Sequence, residues 1–299
     1  MQLRVGFVGL GQMGKWIALN VAKAGLALTV YDINPDPMLE LVANGALPAK
    51  NLPDLAKAAD CFLLSLPDTE TVKEVILGEE GLAKSLSAGA IIVDLSTIDY
   101  LAAVKFSEDL STRGITFIDA PVSGMESRAK EATLTIMAGG NLDSINKVRP
   151  VLDSIGNNLV YMGKNGNGQL AKLVNQLLFN ISCAAMAEIL PMAVKLGLDP
   201  EAICKVITTG TGQTFANTYF TPRILKNNFK SGYSLMSAYK DMASAAEISG
   251  KLKIPMPVFL AALQTYQMAM AEGLGDEDKG AMIKVWEKLL RVKVRSAAD

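Results

Sequence analysis

The sequence predicts an α/β domain built on a doubly wound parallel sheet, followed by an all-helical domain. Three observations carry that prediction. Short, near-continuously apolar runs alternate with helix-patterned segments up to about residue 160. The first run leads into a glycine-rich turn, GLGQMG (9–14), which opens a helix. Beyond about residue 165 the strand pattern stops and helical periodicity takes over.

The strands follow in order. RVGFVG (4–9), ALTVYD (27–32), CFLLSLP (61–67), AIIVDLS (90–96), ITFIDAP (115–121) and TLTIMAGG (133–140) are too apolar for a sheet with one wet face. Parallel strands need crossover helices, and KWIALNVAKAG (15–25) is one, ending at Gly25 as a helix C-terminus does. The later helices are predicted over 168–196, 200–208, 234–251, 255–272 and 277–290. In the fourth, Val258, Leu263 and Tyr266 are expected to face the core, and Asp276, Glu277 and Asp278 suit the start of the last. The division expected is a sheet domain over 1–163 and a helical domain over 164–299, with no internal repeat.

Composition excludes several classes of function. At 299 residues, half of them hydrophobic, the chain can bury a core without disulfides or structural metal. A net charge of −1, with both signs interspersed, argues against a nucleic-acid partner and against a polybasic membrane surface. Cys61, Cys183 and Cys204 lie far apart and form no C-x-x-C, so no metal site is expected, and a reduced cytoplasmic protein is. The N-terminus enters directly into a strand-like run without a leader pattern. One segment, 174–198, resembles a membrane span, but Asn175, Gln176, Asn180, Glu188, Pro191 and Lys195 within it point to a core helix and no membrane association.

GLGQMG has the context that dinucleotide binding requires: strand before it, helix after it. Gly9 permits the tight turn, Gly11 admits a pyrophosphate, and Gly14 lets the helix pack against the strand. Leu10, Gln12 and Met13 complete the loop, and the helix start supplies N–H groups to phosphate. Eighteen residues after Gly14 the second strand ends in Asp32, which can accept both ribose hydroxyls. No arginine stands beside it, so NAD is expected over NADP.

Ligands of open α/β sheets lie beyond the carboxyl ends of the strands. Thr97 in DLSTI and Ser123 in DAPVSG would be hydroxyls there, and Gly124 would let main-chain N–H groups approach a carboxylate. Each taken alone is also what an ordinary turn would carry. In GNGQLAKLVNQ (166–176) a lysine stands in an apolar run, and Lys172, Asn175, Gln176 and Asn180 form one polar stripe on a helix otherwise apolar around its circumference. The glycines at its entry are expected to let backbone and ligand come close to the helix start. The chain has no histidine, so another group must serve as acid/base. Lysine's usual pKa of about 10.4 is too high for easy exchange near neutrality, but burial lowers it.

Taken together, GLGQMG, YD, DLSTI, DAPVSG, GNGQLAKLVNQ and YKDMASA (239–245) resemble the β-hydroxyacid dehydrogenases, the relatives of 3-hydroxyisobutyrate, tartronate semialdehyde and 6-phosphogluconate dehydrogenases. The resemblance runs from residue 4 to about 290. It implies a Rossmann domain joined by a long central helix to a helical domain, an active site between the two, and a homodimer or homotetramer. It implies that Lys172 is the catalytic acid/base, that Asn175 holds substrate with Gln176 in place of a usual second asparagine, and that Ser123 and Gly124 grip the substrate carboxylate. Thr97 and Lys240 match positions near the nicotinamide, and Leu66 and Pro67 match the loop along the dinucleotide. The implied substrate is a small anionic hydroxy acid or semialdehyde.

The chain departs from the family pattern at Met125, Arg128 and Ala132, where glycines are usual. Arg128 either recognises a second anionic group, which would make the substrate a dianionic or sulfonated semialdehyde, or is a solvated helix residue. The rival readings are an imine reductase, which Lys172 and the carboxylate loop speak against, and a non-catalytic NAD-binding module.

Overall fold

Among the described residues nine strands form: β1 (Arg4–Val8), β2 (Ala27–Tyr31), β3 (Leu47–Pro48), β4 (Cys61–Leu64), β5 (Ile91–Asp94), β6 (Thr116–Asp119), β7 (Val122–Ser123), β8 (Leu134–Gly139) and β9 (Gly156–Gly163). They belong to a computed structural model that describes residues 3–230 and 233–296. The apolar runs predict β1, β2, β4, β5, β6 and β8. The three unpredicted strands lacked the signal for physical reasons. β3 and β7 are two residues long, and β9 mixes exposed Asn157, Asn158 and Tyr161 with apolar residues because it pairs, among the described residues, with β8 alone.

The sheet order is β3-β2-β1-β4-β5-β6-β8-β7, with β9 on β8. From β3 to β6 all pairings are parallel, and β8 lies antiparallel to β6 and β7. Alternate residues divide between two apolar cores, as burial on both faces requires. Val5, Phe7, Cys61, Leu63, Ile91 and Val93 face one core, and Phe62, Leu64, Ile92 and Phe117 face the other. The chain order reverses direction on either side of β1, and that switch point is where such sheets hold ligands.

The connections carry α1 (Gly14–Lys23), α2 (Asp36–Ala43), α3 (Leu52–Ala58), α4 (Thr69–Leu77), α5 (Leu82–Ser85), α6 (Tyr100–Ser111), α7 (Met125–Lys130), α8 (Leu142–Lys147) and α9 (Arg149–Asp153). The sheet and these helices belong to one compact unit, residues 1–172, and residues 173–299 form a second. A 29-residue helix, α10 (Asn167–Lys195), begins in the first unit and continues into the second. The outer limits of the predicted domains, residues 1 and 299, lie outside the described residues.

The second unit contains the rest of α10, then α11 (Pro200–Thr209), α12 (Phe215–Leu225), α13 (Leu235–Leu252), α14 (Pro257–Ala271), a 3₁₀ turn (Lys279–Met282) and α15 (Ile283–Leu290). The periodicity does not predict α12, because Pro222 and the polar Asn217, Thr218, Thr221 and Arg223 interrupt its apolar residues; the Thr214 side chain caps it by accepting from Asn217 N–H. Asp278 does cap the final helical segment, through Gly280 N–H.

Three expectations need correction. Val258 is 68% exposed and does not face the core. At about 100° per residue it falls well off the arc that Phe259, Leu263 and Tyr266 share, so Phe259 takes the buried place. Asn180 does not continue a ligand-lining stripe: it is fully buried, and its Oδ1 accepts from the buried Lys279 Nζ at 2.9 Å. That ammonium also lies 4.0 Å from the Phe179 ring centre, and burial lowers its pKa. Nor is α10 apolar and buried all round. It is long and apolar enough to cross a membrane, and Cys183, Ala187 and Leu190 pack into the helical core, but Leu170, Val174 and Leu178 form an exposed apolar stripe.

Phe259→Ala should destabilise the helical unit by about 3–5 kcal/mol, and Val258→Ala by no more than about 0.5 kcal/mol, both measured by urea unfolding. Equal effects would overturn the assigned face.

Candidate active site

The turn between β1 and α1 has the shape its glycines predict. Gly9 has φ +92°, and a Cβ there would lie 2.3 Å from Ser65 O. A Cβ on Gly14 would lie 1.9 Å from Gly9 O, so the helix can approach the turn only without a side chain. Gly11 differs, because a Cβ built on it meets nothing within 4 Å. Its backbone faces open space, which fits a pyrophosphate laid across the turn. Met13 stands at the N-cap of α1 without a side-chain cap, so no side chain competes with an anion at this helix start. Exposed Gln12 lies beside this helix start.

Asp32 ends β2 and accepts hydrogen bonds from Leu10 N–H and Asn34 N–H. Its carboxylate is thereby tied to the glycine loop at the edge where a ribose would lie. The next residue, Ile33, is 91% exposed, an apolar side chain beside the same edge that periodicity gave no reason to single out. Leu66 packs against Gly9 and its N–H donates to Ser96 Oγ at 2.9 Å, while Pro67 is exposed beyond it.

Lys172 is buried, and its Nζ donates to Val122 O at 2.8 Å. Val122 immediately precedes Ser123 and Gly124, so the structure brings the lysine to the loop that the resemblance links with a carboxylate. Asn175 and Gln176 follow one turn later on the same helix, Asn175 exposed and Gln176 half-buried. Thr97 is exposed after β5 in the first unit, and Lys240 is exposed on α13 in the second.

The loop that departs from the family pattern continues into α7. Met125 and Ala132 both adopt left-handed backbone, φ 58° and 54°. A non-glycine residue in that region costs about 1–2 kcal/mol, so two positions where relatives usually have glycine keep a glycine-like conformation without one. Contacts to α1 hold the segment in place: Trp16 Nε1 and Gln12 Nε2 donate to Glu126 at 3.1 and 3.3 Å, and Asn20 Nδ2 donates to Ala129 O at 2.7 Å. The stem of Arg128 lies against Gly124, where an added Cβ would come within 2.9 Å of its Cδ. Arg128 itself is exposed.

Two buried acids were not anticipated from the sequence. Asp94 and Asp119 end neighbouring strands in register. Burial pushes Asp94 up to about 7, against its hydrogen bond from Ser96 N–H, and the charge of Asp119 adds to the rise. Its Oδ2 has no hydrogen-bond partner among the described residues. Burial also raises Asp119, to about 6, opposed by the N–H groups of Gly166 and Gln169 at 2.8 and 3.1 Å. Their only sequence signal was position, since each is the polar residue that closes an apolar strand. At the α10 entry, Gly168 faces sheet backbone rather than a ligand: a Cβ would lie 2.3 Å from Met137 O.

The chain matches known proteins along most of its length. Residues 4–163 match the model for the NAD-binding domain of 6-phosphogluconate dehydrogenase. Residues 166–286 match the model described as NAD-binding of NADP-dependent 3-hydroxyisobutyrate dehydrogenase. The chain is 35% identical to the 2-(hydroxymethyl)glutarate dehydrogenase of Eubacterium barkeri, over 98% of this chain and 97% of that one. It is 31% identical to the 3-sulfolactaldehyde reductase of Escherichia coli, with 94% of each covered. Among solved structures, a 3-hydroxyisobutyrate dehydrogenase from Salmonella typhimurium superposes with TM-score 0.88 at 28% identity, over 95% of this chain and all of that one.

The two acids predict a pH dependence. Their folded pKa values lie above the usual carboxylate value of about 3.9, so the folded chain holds protons that the unfolded chain releases. Their stabilising contribution is present below about pH 4 and is lost as pH rises through about 6 and about 7. Unfolding free energy should therefore fall over that range, and Asp94→Asn should flatten its upper part. A flat wild-type profile would remove the raised values.

Proposed function

Because this chain belongs to the β-hydroxyacid dehydrogenase family, we propose that it moves hydride reversibly between NAD and a small hydroxy acid or its semialdehyde, with Lys172 as general acid/base. The reaction class is that of its relatives, oxidation and reduction at a CH–OH carbon with a nicotinamide cofactor. The observation that carries the reading is a buried ammonium held 2.8 Å from the carbonyl of Val122, next to Ser123.

When bound, the nicotinamide cofactor would supply hydride-transfer chemistry. Neutral Lys172 takes the proton of the substrate hydroxyl during oxidation, and the ammonium returns it to the carbonyl oxygen during reduction. Ser123 and the main chain at Gly124 anchor the substrate carboxylate, while Asn175, with Gln176 beside it, orients the carbon to be oxidised. Gly9, Leu10, Gly11, Gln12, Met13 and Gly14 would hold the pyrophosphate and Leu66 and Pro67 would flank the dinucleotide; for Thr97 and Lys240 the family resemblance is what supports a role near the nicotinamide. Asp32, with no arginine beside it, supports NAD over NADP.

Residues 1–163 form the cofactor domain in this reading, and residues 164–299 serve substrate and self-association. The exposed stripe of Leu170, Val174 and Leu178 supports a homodimer or homotetramer, since apolar surface of this kind marks interfaces. Three buried free thiols suit a reducing cytoplasm.

Lys172→Ala should lower kcat by more than about tenfold, or about 1.4 kcal/mol, with folding and NADH binding retained. A smaller loss would remove Lys172 from the chemistry.

Arg128 favours a second reading within the same family, in which the substrate carries a second anionic group. Its stem rests on Gly124, and its guanidinium has the fork geometry that pairs with carboxylate or sulfonate. NADH oxidation across mono- and dianionic semialdehydes, with Arg128→Gly in parallel, separates the two readings. Dianion recognition predicts a selective loss on dianions of at least about tenfold; an unchanged ratio assigns Arg128 to solvent.

A further inference from the structure

The start of α10 is fixed to the loops behind the strands by a side chain that the reaction has no direct use for. Gln169 is 2% exposed. Its Nε2 donates to Ser96 O at 2.8 Å and its Oε1 accepts from Ile98 N–H at 3.1 Å. Those are the main-chain groups on either side of Thr97, whose own side chain is exposed. The carboxamide therefore grips one loop with both its donor and its acceptor, leaving Thr97 pointing outward.

The grip extends in both directions. Ser96 Oγ holds Leu66 N–H at 2.9 Å, and Ser96 N–H donates to Asp94 Oδ1 at 3.0 Å. Behind Gln169, Asp119 accepts its main-chain N–H at 3.1 Å and that of Gly166 at 2.8 Å. Gly168 admits no side chain, because a Cβ would lie 2.6 Å from Asp119 O, so helix backbone packs directly on the end of β6. Lys172 is three residues beyond Gln169, on the neighbouring turn of the same helix. Asp119 already satisfies the helix end, and an apolar residue would fill the volume of Gln169. What only a carboxamide adds is lateral register between the Thr97 loop and the helix bearing Lys172.

We propose that Gln169 is a positioning residue that fixes the nicotinamide-side loop at Thr97 relative to Lys172. The inference rests on the reading of Lys172 and Thr97 given above. Hydride and proton transfer share one substrate carbon and oxygen, so a displacement of about 1 Å between their partners slows the chemical step by up to about a hundredfold while leaving binding largely intact.

The test compares Gln169→Leu and Gln169→Glu with wild type by kcat, KM, melting temperature and the primary deuterium isotope effect on kcat/KM, using NADH deuterated at the transferred position. Gln169→Leu should lower kcat by about tenfold to a hundredfold, with KM for NADH changed by less than about threefold and a larger isotope effect. In Gln169→Glu a protonated carboxyl presents the same donor and acceptor, so its kcat relative to wild type should recover as pH falls. A kcat within about threefold of wild type, or a loss that leaves the isotope effect unchanged, overturns the proposal. If Gln169→Leu does not fold, a relative profile for Gln169→Glu that is flat with pH, or follows only the folded fraction, overturns it. Lys172→Ala measured in parallel distinguishes the two readings, since an active Lys172→Ala defeats the acid/base role whatever Gln169 does.

Discussion

The arrangement of the first unit depends on one buried carboxylate. Asp119 closes β6 and accepts the main-chain N–H groups of Gly166 and Gln169 at the entry to α10. A helix start carries unsatisfied donors and a partial positive charge, and a carboxylate at the end of a parallel strand answers both. Without it, the first main-chain N–H groups of a 29-residue helix would be buried at the sheet without this acceptor. Lys172, less than two turns further on, takes its position from that contact and then from Val122 O. The burial that makes Asp119 costly as an anion also keeps water from competing for those N–H groups, so the contact is stiff.

The cofactor edge obeys a different constraint. There the backbone must be approached rather than held, and absence of side chains does the work. Gly9 and Gly14 close on each other and on Ser65, while Gly11 opens outward. Asp32 joins this edge through Leu10 N–H, so the acid that ends β2 is tied to the glycine loop. The first unit thus contains one turn shaped for a ligand and one helix entry shaped for the sheet, although both are rich in glycine.

Between them lies the segment where this chain departs from its relatives. Met125 and Ala132 adopt left-handed backbone without glycine, a local cost set against the contacts of Glu126 and Ala129 with Gln12, Trp16 and Asn20. The Arg128 stem lies against Gly124. Arg128 itself is exposed, so this segment presents a positive charge to its surroundings.

Much of this was legible in residue order. Strands buried on both faces must be continuously apolar, and a dinucleotide turn must have glycine at fixed offsets, so β1, β2, β4, β5, β6, β8 and the GLGQMG loop could be read directly. A lysine amid apolar neighbours, in a chain without histidine, pointed to Lys172 by chemistry alone. Tertiary structure decided whatever depends on a partner distant in sequence. Val258 and Phe259 are adjacent apolar residues, and only packing selects which is buried. Asn180 and Gln169 are both amides on one helix, yet one meets Lys279, 99 residues away, and the other meets the Thr97 loop, about 70 residues back. Local periodicity reports which face of a helix turns inward; it holds no information about the groups waiting there, because those are set by the path of the rest of the chain.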